Sequence, residues 1–264
     1  MDWSRAKMIF IVTFLCLNLF LGYQLHEKQE QAKLNAMTHA TIQERLEDNR
    51  IEVEIENAEE VNEGAPITGT VRQFQEELFE ELFGETLERQ TLTLIDDTTL
   101  RAEFENPFSL NAANLTATVS AFLQQFVYEG EMYQIAKYNE EEQYIGLYQT
   151  YRDRKIDQYE REDFHLKLYV TDDLEVDSYE QTFITVNEQE GREQELLSPL
   201  KALETLMNDH YIPPDTVIEE PELGYYSLIQ LEANFQMYSP VWRFKVNDEY
   251  YFVDALNGEI QTIS

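Results

Sequence analysis

Cysteine is nearly absent: the 264-residue chain holds one, Cys16, which excludes an intramolecular disulfide, a Cys-based zinc site and a CxxC redox pair. Basic residues are scarce as well. Nineteen Lys and Arg stand against 52 Asp and Glu, a formal net charge of -33. A phosphate backbone needs a basic footprint, so no nucleic acid is expected as a partner. The four histidines, His26, His39, His165 and His210, show no H-x-E or HExxH spacing. Neither a GxSxG nor a Gly-rich phosphate loop is present, so the usual nucleophile arrangements have no candidates. Acidic clusters do occur at Glu140-Glu141-Glu142, Asp172-Asp173 and Glu219-Glu220 with Glu222. None has the spaced oxygen ligands and central Gly of a calcium loop. No catalytic residue, metal site or cofactor is assigned, and the chain reads as a non-enzyme.

What is present is enough apolar material to fold. Hydrophobic residues make up 43% and aromatics 12%, unlike a disordered acidic tail. The N-terminal segment differs from the rest. Residues 8–25, MIFIVTFLCLNLFLGYQL, carry no charge and are preceded by Arg5 and Lys7. As a helix they would rise about 27 Å, near the ~30 Å of a hydrocarbon core. The run is longer than a signal-peptide core and no A-x-A site follows it, so an uncleaved anchor is expected. The basic flank places residues 1–7 in the cytoplasm and everything after Leu25 outside, with Trp3 and Tyr23 at interfacial positions. The outside part would carry -34. Within the span, Asn18 shares a helical stripe with Ile11, Phe14 and Gly22, which reads equally as a tolerated polar residue or as an interhelical contact.

Residues 26–50 are rich in Gln, Glu, Lys, Ala and Leu without Gly or Pro, and Leu34, Met37 and Leu46 are too sparse for a coiled-coil seam, so a polar helical stalk is expected. Ile51, Val53 and Ile55 alternate with Glu like a strand, and the acidic, Gly- and Pro-containing stretch 57–69 marks the boundary to a body. In the body, Val71, Phe74, Leu78 and Leu82 have a helical period ending at Gly84; Leu92 and Leu94, an Asp96-Asp97 turn, then Leu100, Ala102 and Phe104 predict a hairpin. A second helix is predicted over 115–128, with strands over 132–138, 144–151, 164–170 and 179–186. A third helix opens at Ser198-Pro199, followed by strands over 225–235, 241–246, 250–254 and 259–263. Helix followed by antiparallel strands, three times, argues an α+β fold of antiparallel sheets with helices on one face. The layout is therefore a tail 1–7, an anchor 8–25, a stalk and linker 26–65 and a domain 66–264, divisible at 190/191. Its core should include Phe74, Leu78, Phe122, Phe126, Leu203, Leu206, Trp242 and Phe252.

Both ends of the chain carry a resemblance. Met1-Asp2-Trp3-Ser4, Lys7, Ile9-Phe10-Ile11, Phe14-Leu15, Leu17-Asn18 and Phe20-Leu21 resemble the opening of the YycI family, membrane-anchored regulators of the WalK/WalR (YycG/YycF) cell-wall two-component system of Gram-positive bacteria. Pro240-Val241-Trp242-Arg243-Phe244, Tyr250 to Ala255 and Asn257-Gly258-Glu259-Ile260 resemble the closing strands of the same family and of its relative YycH, a pattern also met in PepSY-type domains. The resemblance implies a non-enzymatic protein in the cell membrane that associates with YycH and the sensor kinase WalK (YycG), alone or as an oligomer, and adjusts kinase output through its transmembrane helix. Ile11, Phe14, Asn18 and Gly22 are then the partner-contact stripe. A PepSY-like extracytoplasmic binding or inhibitory module and a membrane-tethered wall enzyme are the alternative readings.

Overall fold

The computed structural model describes residues 3–53, 63–157, 164–187, 193–219, 221–227, 235–247 and 249–261; within the first helix, residues 3–6, 9 and 27–40 are described by backbone alone. That helix, α1 (Trp3–Asp48), is continuous through the predicted anchor and stalk. Among the described residues no helix is long and apolar enough to cross a membrane. The continuous apolar run with described side chains begins at Phe10, and a span takes about 17–25 residues. The flank Trp3 and Arg5, the stalk positions Leu34, Met37 and His39, the strand continuation through Ile55 and the acidic stretch up to Asn62 lie outside the described residues or side chains.

After α1 come three short strands, β1 (Glu52–Val53), β2 (Glu63–Gly64) and β3 (Ile67–Val71). The first layer of the body follows: α2 (Phe79–Phe83), β4 (Thr91–Leu94), β5 (Leu100–Ser109), α3 (Leu115–Phe126), β6 (Tyr133–Asn139), β7 (Tyr144–Tyr151), β8 (Arg154–Asp157), β9 (Leu166–Val170) and β10 (Glu175–Gln181). Then β11 (Ile184–Asn187) and β12 (Gln194–Glu195) lead to the second layer, α4 (Pro199–Asn208), β13 (Val217–Ile218), β14 (Glu222–Ser227), β15 (Phe235–Val246), β16 (Glu249–Asp254) and β17 (Ile260–Gln261). The fold is α+β as expected. The hairpin is in place, with Leu92 opposite Ala102 and Leu94 opposite Leu100, and Asp96 closes its turn by accepting from the amides of Thr98 and Thr99.

Three expectations need correction. The sheet is mixed, because β1 runs parallel to β13 and β8 parallel to β14; both contacts join segments far apart in sequence, which local pattern does not reach. The helix expected from Val71 to Leu82 is shorter: Val71 ends β3, where it pairs with Ile184, and only a 3-10 turn (Glu76–Leu78) and α2 remain. Leu78 is therefore half-buried, whereas the other seven expected core residues are buried. The strand expected over 179–186 breaks at Thr182-Phe183: β10 pairs with β5 and β9, while β11 leaves to pair with β3.

Two cores result. In the first, α3 presents Val119, Phe122, Leu123 and Phe126 to the sheet, four residues on one helical face. Phe104 meets Phe126 at 5.0 Å and Phe122 at 5.5 Å between ring centroids, both edge to face, each pair worth about 0.5–1.5 kcal/mol beyond area burial. In the second, α4 lies on β15 and β16. Ser198 caps it by accepting from the Lys201 amide, with Pro199 in its first turn, and Leu203, Leu206, Trp242, Phe244 and Val253 fill the space beneath. A closed hydrogen-bonded circuit joins the layers: β7, β9, β10 running on into β11, β3, β15, β14, β8 and back to β7. Ile67, Ile156, Ile184, Tyr225 and Tyr238 fill its interior.

Candidate functional site

The exposed face of α1 is the first candidate. Ile11 and Phe14 are each 66% exposed, Asn18 and Gly22 are exposed beside them, and nothing lies within 4 Å of a Cβ placed on Gly22. Spacings of three, four and four residues put the four on one stripe. Phe10, Leu15 and Leu19 widen it into an apolar strip interrupted by the Asn18 amide. Cys16 is exposed on the same helix. The strip residues Phe10, Ile11, Phe14, Leu15 and Leu19 are all more than half exposed.

The other end of α1 is not free. Ile42 is 1% and Leu46 6% exposed; together with Ile51 they belong to the second core, packed with Leu203, Leu206 and Met207. Arg45, in the last turn, donates to Glu204 Oε1 at 3.0 Å and to Asn208 Oδ1 at 2.9 Å, both on α4. Arg50 and Asp215 clamp the chain as it leaves the helix. The sequence signal for this junction is thin, since Leu46 reads as an isolated apolar point and Ile42 stands among polar residues. Their i, i+4 spacing is the feature that could have revealed it.

The closing segment from Val253 to Ile260 is built as a corner. Asp254 is buried, and its Oδ1 accepts from the amides of Leu256 (2.8 Å) and Asn257 (3.2 Å) while its own backbone amide donates to Glu259 O. Gly258 holds φ +76, a conformation unfavourable to side chains. Trp242 donates from Nε1 to Leu197 O at 2.8 Å, tying the corner to the entry of α4. Val253, Ala255 and Trp242 are part of the second core, with Leu256 and Ile260 packed against it.

A cleft of about 380 Å³ lies where β10 and β11 part, lined among others by His165, Lys167, Glu180, Thr182, Ile184 and Tyr238. His165 is buried, and burial pulls its imidazole down to about 4, so the ring is neutral at pH 7. Its Nδ1 accepts from the Gln149 amide at 3.1 Å. Burial likewise raises the phenols of Tyr133 and Tyr179, which remain protonated hydrogen-bonding groups. His26 and His210 are exposed, the first on α1 and the second just after α4, and Glu140 to Glu142 are exposed on a turn. Glu219 pairs with Lys245, and Glu222 with Lys155 and Arg243. Among the described residues no three His, Cys, Asp or Glu side chains converge as metal ligands.

No curated protein is similar to the chain in sequence at a significant level. Among the solved structures that match the chain are two crystal structures. One is a crystal structure of an uncharacterised protein from Eubacterium rectale, at 12% identity and a TM-score of 0.49 over 81% of this chain and 90% of that one. The other is the crystal structure of YycH from Bacillus subtilis, at 15% identity and a TM-score of 0.39 over 70% of this chain and 51% of that one. The model of the YycI protein family matches residues 29–256, which takes in the α1–α4 junction, both cores and the first half of the closing corner. The chain belongs to the YycI family, a family of regulatory proteins of the YycGF system.

Proposed function

We propose that this chain is a non-enzymatic, membrane-anchored regulator that modulates the sensor histidine kinase WalK (YycG) together with YycH, through contacts of its transmembrane helix. Residues 1–7 form a cytoplasmic tail, 8–25 the anchor, 26–65 the stalk and linker, and 66–264 the extracytoplasmic domain, with subdomains meeting at 190/191. The observation that carries this reading is the continuity of α1. One helix has an exposed apolar strip at one end and is fixed into the body at the other by Ile42, Leu46 and Arg45. A rigid helix transmits a rotation or tilt of the body to the strip. On the strip, Gly22 allows close backbone approach and Asn18 bonds across to a partner helix, with Ile11 and Phe14 packing beside them.

The test compares the wild type, Asn18→Leu alone and combined with Gly22→Ile, and a chain whose residues 8–25 are replaced by an unrelated span. Co-purification of YycG and YycH from membranes and a YycG-dependent reporter are measured for each. Asn18→Leu alone should weaken association about five-fold, the equivalent of ~1 kcal/mol, and the exchanged span should abolish both signals. Full co-purification and output with the exchanged span would move the functional contact to the body.

A further inference from the structure

We propose that the cleft between the open face of the first layer and β11 binds the C-terminal residue of a peptide, through its carboxylate and the N–H beside it. This site is independent of the anchor, so the two readings stand or fall separately.

The argument starts from charge. Acids outnumber bases 52 to 19, yet Lys167 makes no ion pair among the described residues. Its ammonium instead lies 5.6 Å from the centre of the Tyr144 ring and 6.0 Å from that of Phe164, where aromatic faces hold a cation without neutralising it. The carboxylate opposite in register, Glu180, is already engaged: Oε1 accepts from Arg101 at 2.7 Å and Oε2 from the Tyr169 hydroxyl at 3.0 Å. Lys167 is thus a cation in the cleft with its donors unspent.

His165 stands two residues before Lys167, in the bend that leads into β9, and lines the same cleft. With Nδ1 accepting from the Gln149 amide, a neutral ring carries its proton on Nε2 and offers one more donor to the cleft it lines. The threonines are complementary. Thr99 donates its hydroxyl to Asp96 Oδ2 and Thr182 to the His165 carbonyl, so only their oxygen lone pairs remain, as acceptors. An ammonium and an imidazole N–H call for a carboxylate; hydroxyl acceptors call for an N–H close to it. A C-terminal amino-acid residue presents that pair of groups. Its side chain would meet the apolar wall of Phe164, Ile184 and Tyr238, and the cleft volume suits one or two residues. Phe164 can form that wall because position 146 is Gly: a Cβ there would come within 2.4 Å of the ring.

The test uses the full chain in detergent micelles, titrated with acetyl-Ala-Ala, its C-terminal amide and free alanine, read by saturation-transfer NMR and calorimetry. The free acid should bind at least ten-fold more tightly than the amide. Lys167→Gln should lose about ten-fold, since charge-assisted hydrogen bonds are about twice as strong as neutral ones, while Lys167→Arg should keep most of the binding. Unshifted thermal unfolding of both variants checks that they fold. Alanine binding more weakly than the peptide acid supports a peptide tail as the source, and alanine binding more tightly supports a free amino acid on the same groups. The absence of binding, equal binding of acid and amide, or an unchanged affinity in folded Lys167→Gln would overturn the proposal.

Discussion

The two cores are built on opposite plans. The first is local: its buried residues all lie between Phe74 and Phe183, and its centre is a cluster of Phe104, Phe108, Phe122, Phe126 and Tyr179. The second is assembled from two distant pieces, Ile42 to Ile51 at the end of α1 and Leu196 to Ala255 after the first layer is complete. A core of contiguous sequence can stabilise itself. One that needs a distant helix end also reports on that helix, because any shift of α1 must repack α4 against it. In the proposed regulator the first layer is therefore a fixed frame, and the second is the part through which the anchor and the body exchange information.

The sharpest way to break this comparison is at its aromatic centre. Phe122 is fully buried, and Phe122→Ala should cost about 3–5 kcal/mol. The strand circuit through β8 and β11 joins the layers, so the loss should appear equally in Trp242 emission, which reports on the second core, and in far-UV dichroism. Two separated transitions would show that the layers unfold independently.

Leu46→Ala is the corresponding test of the second plan. The cost should be about 2–4 kcal/mol, with the helix end of α1 freed while the first layer keeps its structure. Hydrogen exchange would show faster exchange in the last turns of α1 and in α4, and little change in α3. Equal acceleration in α3 would erase the distinction between the two plans.

Acid acts at the joint between the layers. His165 titrates near 4 when folded and near 6.5 when unfolded. Between these values the unfolded chain binds the extra proton, so this contribution is complete above pH 6.5 and is lost as pH falls towards 4. Its size is about 3 kcal/mol. Protonation of the many carboxylates relieves self-repulsion with the opposite sign, so the histidine is isolated by difference: wild type minus His165→Gln, whose amide oxygen can still accept from Gln149. The difference in unfolding free energy between pH 7 and pH 4.5 should shrink by that share in the variant.

Much of this contrast was legible in the residues, and what was not has a common cause. α3, α4, the β4–β5 hairpin and the closing strands follow from local periodicity, caps and turns, such as Ser198-Pro199 and Asp96-Asp97. The parallel contacts β1–β13 and β8–β14, the break at Thr182-Phe183 and the docking of Ile42 and Leu46 are decided by partners more than sixty residues away, which no local pattern encodes. The apolar strip on α1 was visible as composition. The cleft was not, because His165 and Lys167 acquire meaning only when β9 is laid beside β10 and β11 turns away.

The smallest expected effect tests the joint between α1 and the second core at its rim. Arg45 and Glu204 are both partly exposed, at 38% and 29% of their side chains, and an ion pair in that setting contributes about 0.2–1 kcal/mol. A double-mutant cycle of Arg45→Gln and Glu204→Gln should give a coupling in that range, falling as salt is raised because screening weakens exposed pairs. Asn208 accepts from the same guanidinium, so Asn208→Ala in the Glu204→Gln background should remove a further fraction. If the pair also sets the angle at which α1 leaves the body, Arg45→Gln should alter YycG-dependent output more than its small effect on stability would explain. An output that follows stability alone across Leu46→Ala, Arg45→Gln and Phe122→Ala would show that both cores serve as frame, and that the second has no privileged connection to the helix.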